Sequence, residues 1–419
     1  MSKYIVTGGN KLQGEVQVQG SKNAALPILA ATVLNQSESI INNVPNIHDV
    51  DIMLKILKSI GCKIKKEGDT VIVDSSTINS VEVSESLVRE MRSSIILLGA
   101  LLSKHKETKF SYPGGCDIGL RPIDIHLNGL RMLGAHVEES HGYIYCEAEK
   151  LKGNSITLDY PSVGATENIM LAASLAEGET ILRNAAKEPE IIDLQNFLNA
   201  MGAKVVGAGT SVVYIQGVDK LNPVNYSVIS DRIAAGTYIV ASCITEGEIV
   251  LKNINIEDLR IVCSKLSETG CNIKTYDSGE IIVHSPQIIM PMESLITLPY
   301  PGFPTDMQAQ VVALLTVANG TSIVNETIFE NRYKHVSQLI RMGAKIKIEG
   351  RIAIIQGVKK LLGASVDSAD LRGGAALVIA GLKAEGVTTI NDIYHIDRGY
   401  EKFHEILQSL GANILRQEE

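Results

Sequence analysis

The chain has 419 residues, 45% of them apolar, 21% charged and only 4% aromatic, with no Trp; that is long enough for two or three domains and too apolar for a disordered chain. The formal net charge of −8 excludes a protein that reads a nucleic-acid backbone, because counterion release needs a basic face. Any anionic ligand must therefore be met by a local cluster of cations. The longest apolar runs, 95–102 and 375–382, fall far short of the roughly 20 residues that span a bilayer. The opening MSKYIVTGGN has no apolar signal core, so no membrane partner and a cytoplasmic location are expected. Six cysteines, at 62, 116, 146, 243, 263 and 271, show no CxxC spacing, and neither a disulfide framework nor a metal site is expected.

In chain order, YIVTGGNKLQGEVQVQG reads as two short strands, and NAALPILAATVL as a helix with so little polar surface that it must be buried on most sides. A strand, an amphipathic helix closed by Gly61-Cys62 and two alternating runs that form a hairpin follow. This succession recurs with closing pairs Gly134-Ala135, Gly202-Ala203, Gly270-Cys271, Gly343-Ala344 and Gly411-Ala412, at spacings of 73, 68, 68, 73 and 68. Each closing Gly suits the left-handed position that ends a helix. The corresponding buried helices are RSSIILLGALL, TENIMLAASLA, RIAAGTYIVASCI, DMQAQVVALLTVA and LRGGAALVIAGL. The unit is β-α-β-α-β-β, six times over. The last copy lacks its second hairpin strand and the strand after it, and the N-terminal residues are expected to supply both. Three units per domain then give two α/β domains, 1–21 with 230–419 and 22–229, with crossings near Ser21 and Ser230.

The chemically loaded residues share two phases of this repeat. Lys22, Arg92, Gly164, Arg232, Asp306 and Arg372 lie 37 to 42 residues before their closing Gly, at the starts of the buried helices. Cys116, Arg121, Arg332 and Arg398 lie 11 to 18 before it, in loops entering the outer helices. Helix starts carry unpaired N–H groups and partial positive charge, so cations there make an anion site; a lone Arg at such a place would read as a solvated surface residue. In PGGCDIGLRPIDIH, two glycines precede Cys116 and Arg121 follows it. An isolated Cys reads as core filler, but this loop and its cation suit a reactive thiol, either as thiolate or as proton donor. Asp306 after PGFPT fits a proton acceptor or a helix cap.

GSKNAALP, MRSSI, PGGCDIGLRPIDIH, SVGATENIM, PGFPTDMQAQ, IFENRY, DLRGGAALV and IDRGYE, in this order along the whole chain, resemble the enolpyruvyl transferases. The Cys-containing loop looks like the branch that acts on UDP-N-acetylglucosamine rather than the sister branch that acts on shikimate 3-phosphate. The resemblance implies two inside-out α/β domains with helices in their cores and the active site between them, closing on substrate. It implies transfer of the enolpyruvyl group of phosphoenolpyruvate to the 3-hydroxyl of UDP-N-acetylglucosamine, with phosphate released by addition and elimination and no cofactor. This is a step of peptidoglycan synthesis that fosfomycin blocks at the Cys.

By the same resemblance Cys116 is the acid that protonates phosphoenolpyruvate and can carry it covalently, and Asp306 takes the sugar hydroxyl's proton. Lys22, Arg121 and Arg398 contact phosphoenolpyruvate, with Arg372 nearby and Asp370 organising the arginines. Asn23, Arg92, Arg121, Pro122, Ile123, Asp124, Ile125, Ser162, Val163, Gly164, Asp306 and Ile328 hold the nucleotide sugar, and Arg332 orients its neighbours. Two other readings stay open at this point: the shikimate 3-phosphate transferase, and a nucleotide-sugar sensor without turnover.

Overall fold

A computed structural model describes residues 2–113, 123–276 and 279–418. The chain divides into two compact units; in the described residues one consists of 2–19, 230–276 and 279–418, the other of 20–113 and 123–229. Each has its own apolar core.

Both units repeat one plan. A largely buried helix leads to a strand, an outer helix and a hairpin, and the strand of each sheet that follows the buried helix lies parallel to an entry strand and antiparallel to the hairpin. In one sheet Glu38–Asn42 runs parallel to Val224–Ser227 and antiparallel to Thr70–Asp74, which pairs with Lys63–Glu67. Among the described residues five sheets have four strands and one has three. The exception is Glu107–Ser111, Tyr143–Glu147 and His136–Ser140, whose entry strand shrinks to one bridge, Glu82 to Lys109. There the Ser80 hydroxyl accepts the Glu82 N–H at 3.2 Å, a local turn that bends the segment away from a ladder.

The last sheet shows how the N-terminus is used. Lys3–Thr7 lies between Val387–Asn391 and Asn413–Gln417, antiparallel to both, and Gln13–Gln17 then becomes the parallel entry strand of Glu248–Lys252. The first residues thus provide the two strands that the sixth copy of the repeat lacks.

The low polarity of the buried helices has the expected consequence: all thirteen residues of Arg232–Ile244 are buried. That helix, Gln308–Leu315 and Leu371–Lys383 pack on one another in the first unit; in the second, Leu97–His105 packs on Lys22–Ala31 and Val163–Ala173. How each helix begins depends on its cap. Ser21, Ser162, Asp231 and Asp370 accept N–H bonds from the first turn, and their helices start as α-helix. Met91 and Pro304 offer no side-chain cap, and there the chain enters through 3₁₀ turns, Arg92–Ile96 and Thr305–Met307. Among the described residues no helix is long and apolar enough to cross a membrane.

Candidate active site

All six residues of the first repeat phase stand at helix starts. Lys22 and Arg232 are first residues of their helices, Gly164 and Arg372 second residues, and Arg92 and Asp306 lie in the two 3₁₀ turns. Of the second phase, Arg332 precedes the helix Val336–Arg341, and Arg398 closes the short turn Tyr394–Asp397. Cys116, Arg121 and Pro122 lie outside the described residues.

In the unit 20–229, Lys22 Nζ lies 2.8 Å from Asp49 Oδ2, a buried carboxylate in the first turn of the outer helix His48–Ser59. Pro27 has no N–H to give the carbonyl four residues back, that of Asn23, so the backbone at Asn23 is released from the helix ladder. Ile123 is buried just before the helix Asp124–Met132, whose first two residues are the exposed Asp124 and the half-buried Ile125. His126 follows, buried, and burial together with the charge of Arg92 lowers its pKa to about 4. Its ring lies against the first turn of Val163–Ala173: a Cβ on Gly164 would stand 3.0 Å from His126 Cε1.

In the other unit Asp306 is held by two guanidinium groups. Arg332 Nη2 donates to Oδ1 at 2.8 Å and Arg372 Nη2 to Oδ2 at 3.1 Å. The two arginine side chains are each 3% exposed, whereas Asp306 is 29% exposed. Arg332 also donates to the Thr305 carbonyl at 3.2 and 3.3 Å. Burial opposes the charge on Arg372, but the negative partners Asp306 and Asp231 and the Tyr400 hydroxyl outweigh it, and the guanidinium stays charged. Asp306 therefore does not cap its helix; its carboxylate is spent on the arginines. Asp370 is the cap: its Oδ1 accepts the N–H groups of Arg372 and Gly373, both at 3.0 Å. Asp370 thus meets Arg372 through the backbone.

Three further residues support this cluster and escaped the sequence. Glu326, fully buried, accepts from the hydroxyls of Thr297 and Thr305 at 3.0 and 2.9 Å and from the N–H groups of Ile328 and Phe329 at 2.8 and 3.1 Å; four donors offset the desolvation of its charge. Gln310 Nε2 donates to the Asp306 carbonyl at 2.9 Å and to Thr237 Oγ1 at 3.1 Å. His335 is buried, and among the described residues neither ring nitrogen has a hydrogen-bond partner. Burial pushes its pKa well below the usual 6.5, against the pull of Asp370.

His335 gives a pH prediction. The ring is neutral when folded and protonates near 6.5 when unfolded, so the unfolded chain binds more protons below that pH. The contribution falls as pH drops, by on the order of 1–3 kcal/mol. Relative to His335→Gln, the wild type should lose stability between pH 7 and pH 4.5, read as a shift in the gap between their urea midpoints. A constant gap would refute the neutral buried ring.

A family model described as EPSP synthase (3-phosphoshikimate 1-carboxyvinyltransferase) matches residues 6–407. A protein of Caldanaerobacter subterraneus subsp. tengcongensis named UDP-N-acetylglucosamine 1-carboxyvinyltransferase 2 is 54% identical over 416 residues, covering 99% of this chain and 100% of the relative. One from Carboxydothermus hydrogenoformans with the same name is 51% identical, covering 99% of each. The chain belongs to the UDP-N-acetylglucosamine 1-carboxyvinyltransferase family, within the enolpyruvyl transferases. It is a transferase. The family's fold is seen in the enolpyruvyl transferase NikO from Streptomyces tendae, with a TM-score of 0.90 at 23% identity over 99% of both chains. EPSP synthase from Acinetobacter baumannii superimposes with a TM-score of 0.76 at 20% identity over 100% of both.

Proposed function

We propose that this chain transfers the enolpyruvyl group of phosphoenolpyruvate to the 3-hydroxyl of UDP-N-acetylglucosamine, releasing phosphate, in the cytoplasmic synthesis of peptidoglycan precursor. The observation that carries the reading is the Asp306 carboxylate, gripped by Arg332 and Arg372 yet still open to solvent. A carboxylate fixed in this way holds an anionic oxygen at a set position, and a proton acceptor is what attack by a sugar hydroxyl on C2 of phosphoenolpyruvate requires. The same addition needs a proton at C3, for which Cys116 is the donor. Elimination then removes a proton from C3, restores the double bond and expels phosphate from C2, so neither redox chemistry nor a cofactor is needed.

Phosphoenolpyruvate carries a phosphate and a carboxylate, which call for several cations. Lys22, Arg121 and Arg398 are assigned to it, together with Arg372. Asn23, Arg92, residues 121–125, 162–164 and Ile328 are assigned to the nucleotide sugar. The Asp49 contact fixes Lys22 Nζ at a helix start, where an anion also gains from the backbone N–H groups.

Phosphate release is the test. It should require both phosphoenolpyruvate and UDP-N-acetylglucosamine, fail with shikimate 3-phosphate as acceptor and collapse in Cys116→Ala. Release driven by shikimate 3-phosphate would move the chain to the sister reaction, and nucleotide-sugar binding without release would make it a sensor.

A further inference from the structure

Asn168 sits at the centre of a closed set of hydrogen bonds in the unit 20–229. The Gly99 N–H reaches its Oδ1 at 2.6 Å, and its Nδ2 lies 2.9 Å from the Ile95 carbonyl and 3.1 Å from His126 Nδ1. A side chain on Gly99 would break this set, because its Cβ would stand 2.4 Å from Asn168 Oδ1 and 2.3 Å from the Asn168 carbonyl oxygen.

The chemistry of the partners fixes every proton in it. A backbone N–H only donates, so the atom facing Gly99 is the amide oxygen; a backbone carbonyl only accepts, so the atom facing Ile95 is the amide nitrogen. That nitrogen has a second hydrogen, directed at His126 Nδ1, which must be an unprotonated acceptor. A neutral ring with Nδ1 unprotonated carries its hydrogen on Nε2. This edge of the ring lies 3.4 Å from where a Cβ on Gly164 would stand, beside the first turn of Val163–Ala173. The ring is 8% exposed, and Nε2 is the nitrogen left over for a ligand. An N–H donor, a helix start and the Arg92 charge together favour an anionic oxygen.

We propose that Asn168 locks His126 as the neutral ring protonated at Nε2, and that this N–H donates to an oxygen of the nucleotide sugar's diphosphate. The second half rests on the function proposed above. His126 is then a binding residue and Asn168 a positioning residue that acts through it.

The lock is read in the ligand-free protein by long-range 1H–15N NMR between pH 6 and 8, with His126 assigned by its loss in His126→Gln. The expected pattern is an unprotonated Nδ1 and a protonated Nε2. In Asn168→Asp a carboxylate oxygen replaces the donor, and Nδ1 should become protonated. Protonated Nδ1 in the wild type overturns the lock.

The ligand half is read by calorimetry with UDP. His126→Phe should weaken binding about tenfold, the worth of one hydrogen bond to a charged group, while His126→Gln, which restores an N–H, should recover most of it. Equal losses in both variants, or a wild type that binds no UDP, overturn the donor role. Because UDP binding is measured without turnover, failure of the transferase reading shows separately as bound UDP with no phosphate release.

Discussion

Asp306→Ala is expected to reduce phosphate release by about 10²–10⁴-fold, the usual worth of a positioned general base. It should also lower stability, because two guanidinium groups that are each 3% exposed lose the carboxylate between them. Stranding a buried charge costs about 3–5 kcal/mol. Here the loss should be smaller, since Asp306 is partly solvated, Arg332 keeps the Thr305 carbonyl and Arg372 keeps the Tyr400 ring, 5.4 Å away. Asp306→Asn separates the two effects. It keeps the volume and one acceptor oxygen, so most of the packing survives, but its amide can neither take a proton nor balance both arginines. Phosphate release should be as poor as in Asp306→Ala while the melting temperature lies nearer the wild type. Turnover within tenfold of wild type in either variant would leave Asp306 as an anchor for the arginines and assign the base elsewhere.

The arginine grip shows which parts of the site can be read from sequence. Asp306, Arg372, Lys22 and Arg92 were legible because each occupies the same phase of a repeat, and a shared phase becomes a shared structural position at a helix start. Glu326, Gln310 and Asn168 have no counterpart of their own type in the other units, and His335 shares its phase only with His126, each eight residues before its closing Gly. Their roles come from contacts across the fold, such as Glu326 reaching Thr297 and Thr305, and neither periodicity nor spacing encodes these. Asp306 itself allowed two readings in sequence, cap or proton acceptor. The structure bears on the cap alone: Pro304 extends the chain ahead of a 3₁₀ turn, and the carboxylate meets Arg332 and Arg372. The repeat was equally informative about the fold, except where local chemistry intervened, as at Ser80, where a side-chain turn replaces an entry strand.

The strongest test of that repeat lies at the N-terminus. A chain lacking residues 1–18 is expected to lose the fold of the unit containing 230–418. Lys3–Thr7 is an interior strand, with Tyr4 opposite both Ile390 and Arg416, so its removal splits one sheet, while loss of Gln13–Gln17 strips the parallel edge from Glu248–Lys252. Tyr4, Val6, Leu12, Val16 and Val18 are all buried, and at about 1.5–3 kcal/mol each their burial amounts to roughly the whole stability of a domain. The register also states the rescue. Lys3 lies opposite Gln417 in an antiparallel pair, so a turn of about 2–5 residues can join the chain ends as an ordinary hairpin. A permuted chain running from residue 20 to 418, through such a turn and on through 2–19, makes the sixth unit continuous in sequence and should unfold cooperatively near the wild-type temperature. A truncated chain that melts like the full protein would show the first two strands to be dispensable. A permuted chain without a cooperative transition would mean that the continuity of residues 19 and 20 is itself required.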